Sequence, residues 1–134
     1  MFLAGMVLLA SCTKRDYYQD TREYALVVDY VEGYPYSVIR FDADGSFAVI
    51  ESMENNSDYW PLINDELFGD FDLGTRYVRN NDAGYNIRVS VLDYANSLSE
   101  ANRIIDRYID RYGYAKKMPS VRSAGRTKTI PVVK

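Results

Sequence analysis

The sequence predicts a mainly β (α+β) domain: a five-stranded curved antiparallel sheet or small barrel with one C-terminal amphipathic helix. Three observations carry this prediction. Short segments alternate apolar and polar residues with period two. Turn residues separate these segments at close intervals. Near residue 97 the apolar spacing changes once, from two to the helical period.

The first strand is predicted over residues 24–31, where Tyr24, Leu26, Val28 and Tyr30 share one face. Gly33-Tyr34-Pro35 punctuates it. A second strand runs over 36–41, given weight by Val38, Ile39 and Phe41. Asp42-Ala43-Asp44-Gly45 reads as a turn, and a third strand follows over 46–52. Residues 53–69 break the pattern. Asn55-Asn56-Ser57 and Trp60-Pro61 mark a loop, with a helical turn expected around 62–67. A fourth strand is expected to place Phe71, Leu73, Thr75 and Tyr77 on one face, with Asp70, Asp72 and Arg76 on the other. Residues 80–84 suit a hairpin turn that tolerates positive φ. The fifth strand is the cleanest, with Tyr85, Ile87, Val89 and Val91 alternating against Asn86, Arg88 and Ser90.

Ser97-Leu98-Ser99-Glu100 is then a capping box, with Ser97 as N-cap and Glu100 at N3. Leu98, Ala101, Ile104, Ile105, Tyr108, Ile109 and Tyr112 recur at helical spacing, and Gly113 is expected to end the helix. Strands this few cannot cover both faces of a sheet alone, so they must curl into a barrel or pack on the helix.

Composition bounds the chemistry. The 134 residues include one cysteine and no histidine, so no intrachain disulfide and no imidazole base or ligand is available. Thirteen tyrosines suit sheets and half-buried surfaces. Charge is uneven. Residues 115–134 hold six basic residues and no acid, and residues 41–75 hold nine acids and no Lys or Arg. The basic tail, expected to be flexible with residues 129–133 adding an edge strand, could meet an anionic surface or the chain's own acidic belt.

Candidate sites are few. Asp42, Asp44, Gly45, Phe47 and Glu51 fall at positions 3, 5, 6, 8 and 12 of an EF-hand register, but position 1 is Arg40, which repels calcium. The flanks are also strand-like, so the segment reads as a hairpin turn and no metal site is expected. The acidic run Glu51, Glu54, Asp58, Asp65, Glu66, Asp70 and Asp72 could pair two carboxylates for hydrolysis, but nothing in the spacing sets a separation. Tyr34, Tyr36, Tyr59 and Trp60 are the candidate ligand-binding aromatics, able to stack on a sugar or peptide. No cofactor is expected, and no catalytic residue is assigned.

The N-terminus carries a resemblance. Residues 2–9 are apolar except for Gly5, too few to cross a bilayer as a helix but the length of a signal-peptide core. Leu9-Ala10-Ser11-Cys12 resembles the lipobox of bacterial lipoproteins. The resemblance implies that residues 1–11 are cleaved and that Cys12 carries a diacylglycerol. One departure is that nothing before Cys12 is charged, where such signals begin with Lys or Arg; a start codon placed a few residues late accounts for it. The expected organisation is a signal peptide over 1–11, a tether over 12–23, a β-domain over 24–114 and a basic tail over 115–134. The expected address is the bacterial cell envelope, the outer membrane ahead of the inner. The chain would meet the membrane through its lipid, with an envelope protein or glycan as partner and no nucleic acid.

The order of three strands, a connection and two strands over residues 24–94 also resembles the oligonucleotide/oligosaccharide-binding (OB) barrel. That resemblance implies a groove for a glycan or peptide. Three functional classes follow: a lipid-anchored protein acting by binding or assembly, an OB-like binding module, and a carboxylate-based hydrolase.

Overall fold

The computed structural model describes residues 21–116. The signal peptide, Cys12, most of the tether and the tail from residue 117 onward lie outside the described residues. Six strands form a closed antiparallel barrel: β1 (Glu23–Tyr30), β2 (Tyr36–Phe41), β3 (Phe47–Ser52), β4 (Glu66–Gly69), β5 (Gly74–Asn80) and β6 (Tyr85–Ala95). Their order around the barrel is β1-β2-β3-β6-β5-β4, with β4 closing back on β1. Closure leaves no free edge for another chain to extend. One helix, α1 (Leu98–Lys116), packs outside. No described helix is long and apolar enough to cross a membrane.

The strand count is six where the sequence pointed to five. The added strand is β4, in the segment expected to hold a helical turn around 62–67. Four residues are too short to display a period, yet Glu23↔Gly69 through Leu26↔Glu66 pair with β1. The one helical element of this loop is a single 3-10 turn at Ser57–Tyr59. The following strand also differs in phase. β5 begins only at Gly74, at φ 104, so Phe71 lies before it. Its inward residues are Val78 and Asn80, while Leu73 and Tyr77 are 51% and 74% exposed. The expected stripe of Phe71, Leu73, Thr75 and Tyr77 is therefore not one face.

Two apolar layers hold the fold. The barrel interior contains Ala25, Val27, Ile39, Phe41, Ala48, Ile50, Leu67, Phe71, Val78, Ile87, Val89 and Val91. A second layer lies between α1 and the outer faces of β2, β3 and β6. There Ala101, Ile104 and Ile105 meet Tyr36, Val38, Val49 and Ala95. Strand β2 is thus buried on both faces, which is why Val38 and Ile39 are adjacent and apolar.

Two register shifts shape the barrel. One lies between Val27 and Asp29, the other opposite Val49 and Ile50, where β6 gains Leu92. Because side chains alternate, an extra residue re-aims everything after it. Past the second shift, Ala95 joins the layer under the helix. The Tyr94 ring instead turns toward Phe41, 6.4 Å away, and its hydroxyl donates to the Phe71 carbonyl at 2.7 Å.

The capping box forms as expected. Ser97 Oγ accepts from Glu100 N–H at 3.1 Å, and the Glu100 carboxylate accepts from Asn96 N–H at 2.8 Å. The helix does not end at Gly113 but continues to Lys116. Glycine lowers helix stability by about 1 kcal/mol without forbidding the conformation.

The topology polarises the domain. One end gathers the start of β1, the β2–β3 and β4–β5 turns and the end of β6. The other gathers the β1–β2 connection, the 53–65 loop and the β5–β6 turn. Helix α1 starts at the first end, and its later turns reach Tyr36 near the second, with the Tyr108 ring 6.1 Å away. The chain enters at one end and leaves toward the other.

Candidate functional site

The four candidate aromatics divide into two structural settings. Tyr34 and Tyr36 lie in the seam under α1, their rings 6.4 Å apart and nearly parallel. The row continues through Tyr108 to Tyr112, 6.2 Å further on. Tyr36 is fully buried, and its hydroxyl is pushed up to about 12 by burial, with the Glu51 carboxylate and Tyr108 adding to the effect. A ligand reaches Tyr36 only if the helix lifts.

Tyr59 and Trp60 sit in the 53–65 loop. Asn56 caps its 3-10 turn by accepting from Asp58 N–H at 2.9 Å. Trp60 is 2% exposed, and its ring N–H donates to the Glu54 carbonyl at 3.0 Å. Trp60 is therefore a strut of the loop. Tyr59 keeps 46% of its surface exposed, edge-on to Tyr85 at 5.2 Å.

The acidic run scatters in the same way. Asp65 is fully buried and accepts from Leu62 N–H at 2.9 Å and from the Asn80 amide at 2.8 Å. Glu54 accepts from Arg88 N–H, and Glu66 accepts from the Asn81 amide. Asp70 accepts from Asp72 N–H and from the Thr21 hydroxyl. Asp44 closes the β2–β3 turn by accepting from both Ser46 N–H and its hydroxyl. Those two bonds lower the Asp44 carboxyl from its ordinary value. The EF-hand-like segment is thus a hairpin turn, with Gly45 at φ 74. Among the described residues no three His, Cys, Asp or Glu side chains converge to hold a metal ion.

The chain-entry end is the acidic one. Burial raises the Glu23 carboxyl, and the nearby charges of Asp44, Asp70 and Asp72 raise it further.

A surface of exposed aromatic and cationic groups lies elsewhere, on the barrel wall that α1 leaves uncovered. Strand pairing sets its rows. Tyr24 stands opposite Phe68, Phe68 opposite Arg79, and Arg79 opposite Asn86; in the next row Tyr77 stands opposite Arg88. The Tyr24 and Phe68 rings are 4.6 Å apart, and the Arg22 guanidinium lies 5.3 Å from the Phe68 ring centre. Tyr24 is 46% exposed, and Arg22, Arg79 and Arg88 are all exposed, with the Arg88 guanidinium donating to the Met53 carbonyl at 3.3 Å. These residues were not singled out from the sequence. The signal was present in β5: with Val78 and Asn80 assigned inward, Tyr77 and Arg79 must face out. A wrong strand phase concealed it.

A shallow cleft of about 120 Å³ also opens along the helix seam, lined by Asp93, Arg107, Tyr108 and Arg111. Comparison with protein-family models, with curated proteins and with solved structures returns no match for this chain.

Proposed function

We propose that this chain is a lipid-anchored bacterial cell-envelope protein that works by binding or assembly rather than catalysis. The Leu9-Ala10-Ser11-Cys12 motif carries the anchoring half of the reading. In this reading residues 13–22 would link Cys12 to the first described strand, which begins at Glu23. Ten residues span at most about 35 Å when extended, enough to hold the barrel clear of a headgroup layer. The acidic entry end would lie nearest the membrane. Anionic headgroups would repel it and keep the barrel wall presented outward.

Binding is favoured over hydrolysis by what the carboxylates already do. Asp65, Glu54, Glu66, Asp70 and Asp44 each accept hydrogen bonds that hold loops and turns together. The exposed wall instead carries aromatic rings and guanidinium groups at its surface. A glycan- or peptide-binding module is the second reading, favoured by that wall rather than by Tyr34, Tyr36 and Trp60.

Metabolic labelling with a fatty-acid analogue tests the anchor in a bacterial host. Wild-type chain should take up label and fractionate with membranes, and Cys12→Ala should do neither. Wild-type chain that takes up no label refutes the lipoprotein reading.

A further inference from the structure

We infer that the uncovered barrel wall formed by β1, β4, β5 and β6 binds an acidic polysaccharide, with Tyr77, Tyr24 and Phe68 stacking on sugar rings and Arg79, Arg88 and Arg22 meeting its carboxylates. This rests on the binding reading above and deepens it by naming the partner class.

The first argument is charge placement. Residues 21–116 contain nine basic against seventeen acidic residues, so the described domain is strongly acidic. Three of the nine cations, Arg22, Arg79 and Arg88, nonetheless share this wall, and the carboxylates beside them, Glu66 and Glu54, accept from the Asn81 amide and from Arg88 N–H. Cations gathered on one face of an acidic body draw a polyanion to that face rather than to the acidic entry end. That gives orientation as well as attraction.

The second argument is ring exposure. Among the described residues Tyr77 is the most exposed large hydrophobic residue, at 74%, although it sits in the middle of a strand. Among the described residues no hydrogen bond or ion pair ties down the Arg79 guanidinium, two positions along the same face. Residues i and i+2 on a strand are about 7 Å apart, and neighbouring strands lie about 4.8 Å apart. Tyr77, Arg79, Phe68 and Arg88 therefore form a checkerboard of rings and planar forks about 14 Å across from β1 to β6. A chain of sugar rings bearing carboxylates repeats the same two chemistries. The rings offer apolar faces to the tyrosines, and the carboxylates accept forked pairs of hydrogen bonds from arginine. Single-stranded nucleic acid shares part of this chemistry and is the rival that the test must exclude.

The test uses full-chain protein purified in detergent, with polygalacturonate as the acidic probe and dextran as the neutral one. Wild type should bind polygalacturonate and not dextran, with affinity falling as salt rises. Tyr77→Ala and Arg79→Ala should each weaken binding about fivefold to tenfold, and the double variant more. Both side chains are surface-exposed, so melting temperatures should stay near wild type. Arg107→Ala, on the helix, should bind like wild type. Equal binding to dextran, tighter binding to single-stranded DNA of matched charge, or no binding to polygalacturonate would each overturn the assignment. Because this assay uses purified protein, it stands apart from the lipid-labelling result. Label uptake with no glycan binding rejects the partner alone, and glycan binding without label rejects the anchor alone.

Discussion

Asn80→Ala removes the side chain that ties the 53–65 loop to the β5–β6 hairpin. Asn80 is fully buried. Its amide donates to the buried Asp65 carboxylate at 2.8 Å, and its carbonyl accepts from Asp82 and Ala83 N–H, each at 3.1 Å. Hydrogen bonds to a charged group contribute about 1.5–3 kcal/mol, and the alanine variant leaves that charge short of a donor. The two turn N–H groups lie in a partly exposed hairpin, so water replaces their acceptor and about 0.5 kcal/mol is lost for each. The expected destabilisation is about 3 kcal/mol. For a domain of this size that lowers the melting temperature by at least about 12 °C. Thermal and urea unfolding of the full chain, followed by circular dichroism, measure it. Asn81→Ala is the control. Asn81 is exposed and its side-chain amide donates to the half-buried Glu66 carboxylate, while its backbone bond survives the substitution, so the loss should stay within about 0.5 kcal/mol. An Asn80→Ala shift below about 4 °C would refute the reasoning, because it would mean that water satisfies Asp65 as well as the amide does.

Other perturbations probe other parts of the barrel. Gly69→Ala places a Cβ 2.8 Å from Val78 Cγ1 and 3.2 Å from Val78 Cα, so it should cost about 1–3 kcal/mol in the same unfolding assay. The Glu23 carboxyl is raised in the folded state, so the folded chain binds the proton more tightly than the unfolded chain. Stability contributed there is lost as pH rises above about 4.5, and Glu23→Gln should melt higher than wild type at pH 7, with the advantage vanishing below pH 4. An advantage that persists in acid counts against that sign. For Tyr36, pushed up to about 12, the folded chain again holds its proton longer than the unfolded one. Wild type should therefore lose stability relative to Tyr36→Phe as pH rises above 10, and a constant difference between the two from pH 9 to 11 would rule this out.

Much of the barrel could be read from period and punctuation. Strands β1, β2, β3 and β6 are long enough for alternation to appear, and the capping box placed the start of α1 to the residue. Strand β4 escaped because four residues carry no statistics. The β5 phase was misread because Phe71, Leu73, Thr75 and Tyr77 formed a plausible stripe, and only Gly74 marks the break in the backbone. The candidate site was less legible. Tyr34, Tyr36 and Trp60 have the chemistry of ligand-stacking residues, but burial uses them for packing. Burial depends on which neighbour covers a side chain, and a strand's own sequence does not state it.

By itself, the sequence determined the local structure: alternating segments, turn residues, a capped amphipathic helix, and an N-terminal lipobox-like stretch that stands apart from them. These follow from interactions between residues a few positions apart. Only the tertiary structure decided that the sheet closes through β4, that α1 covers β2, β3 and β6, and that the opposite wall is left open. Those outcomes rest on contacts between distant segments, such as Tyr24 with Phe68 and Asp65 with Asn80. Two bulges set their register, and a single inserted residue reverses which side chains face out.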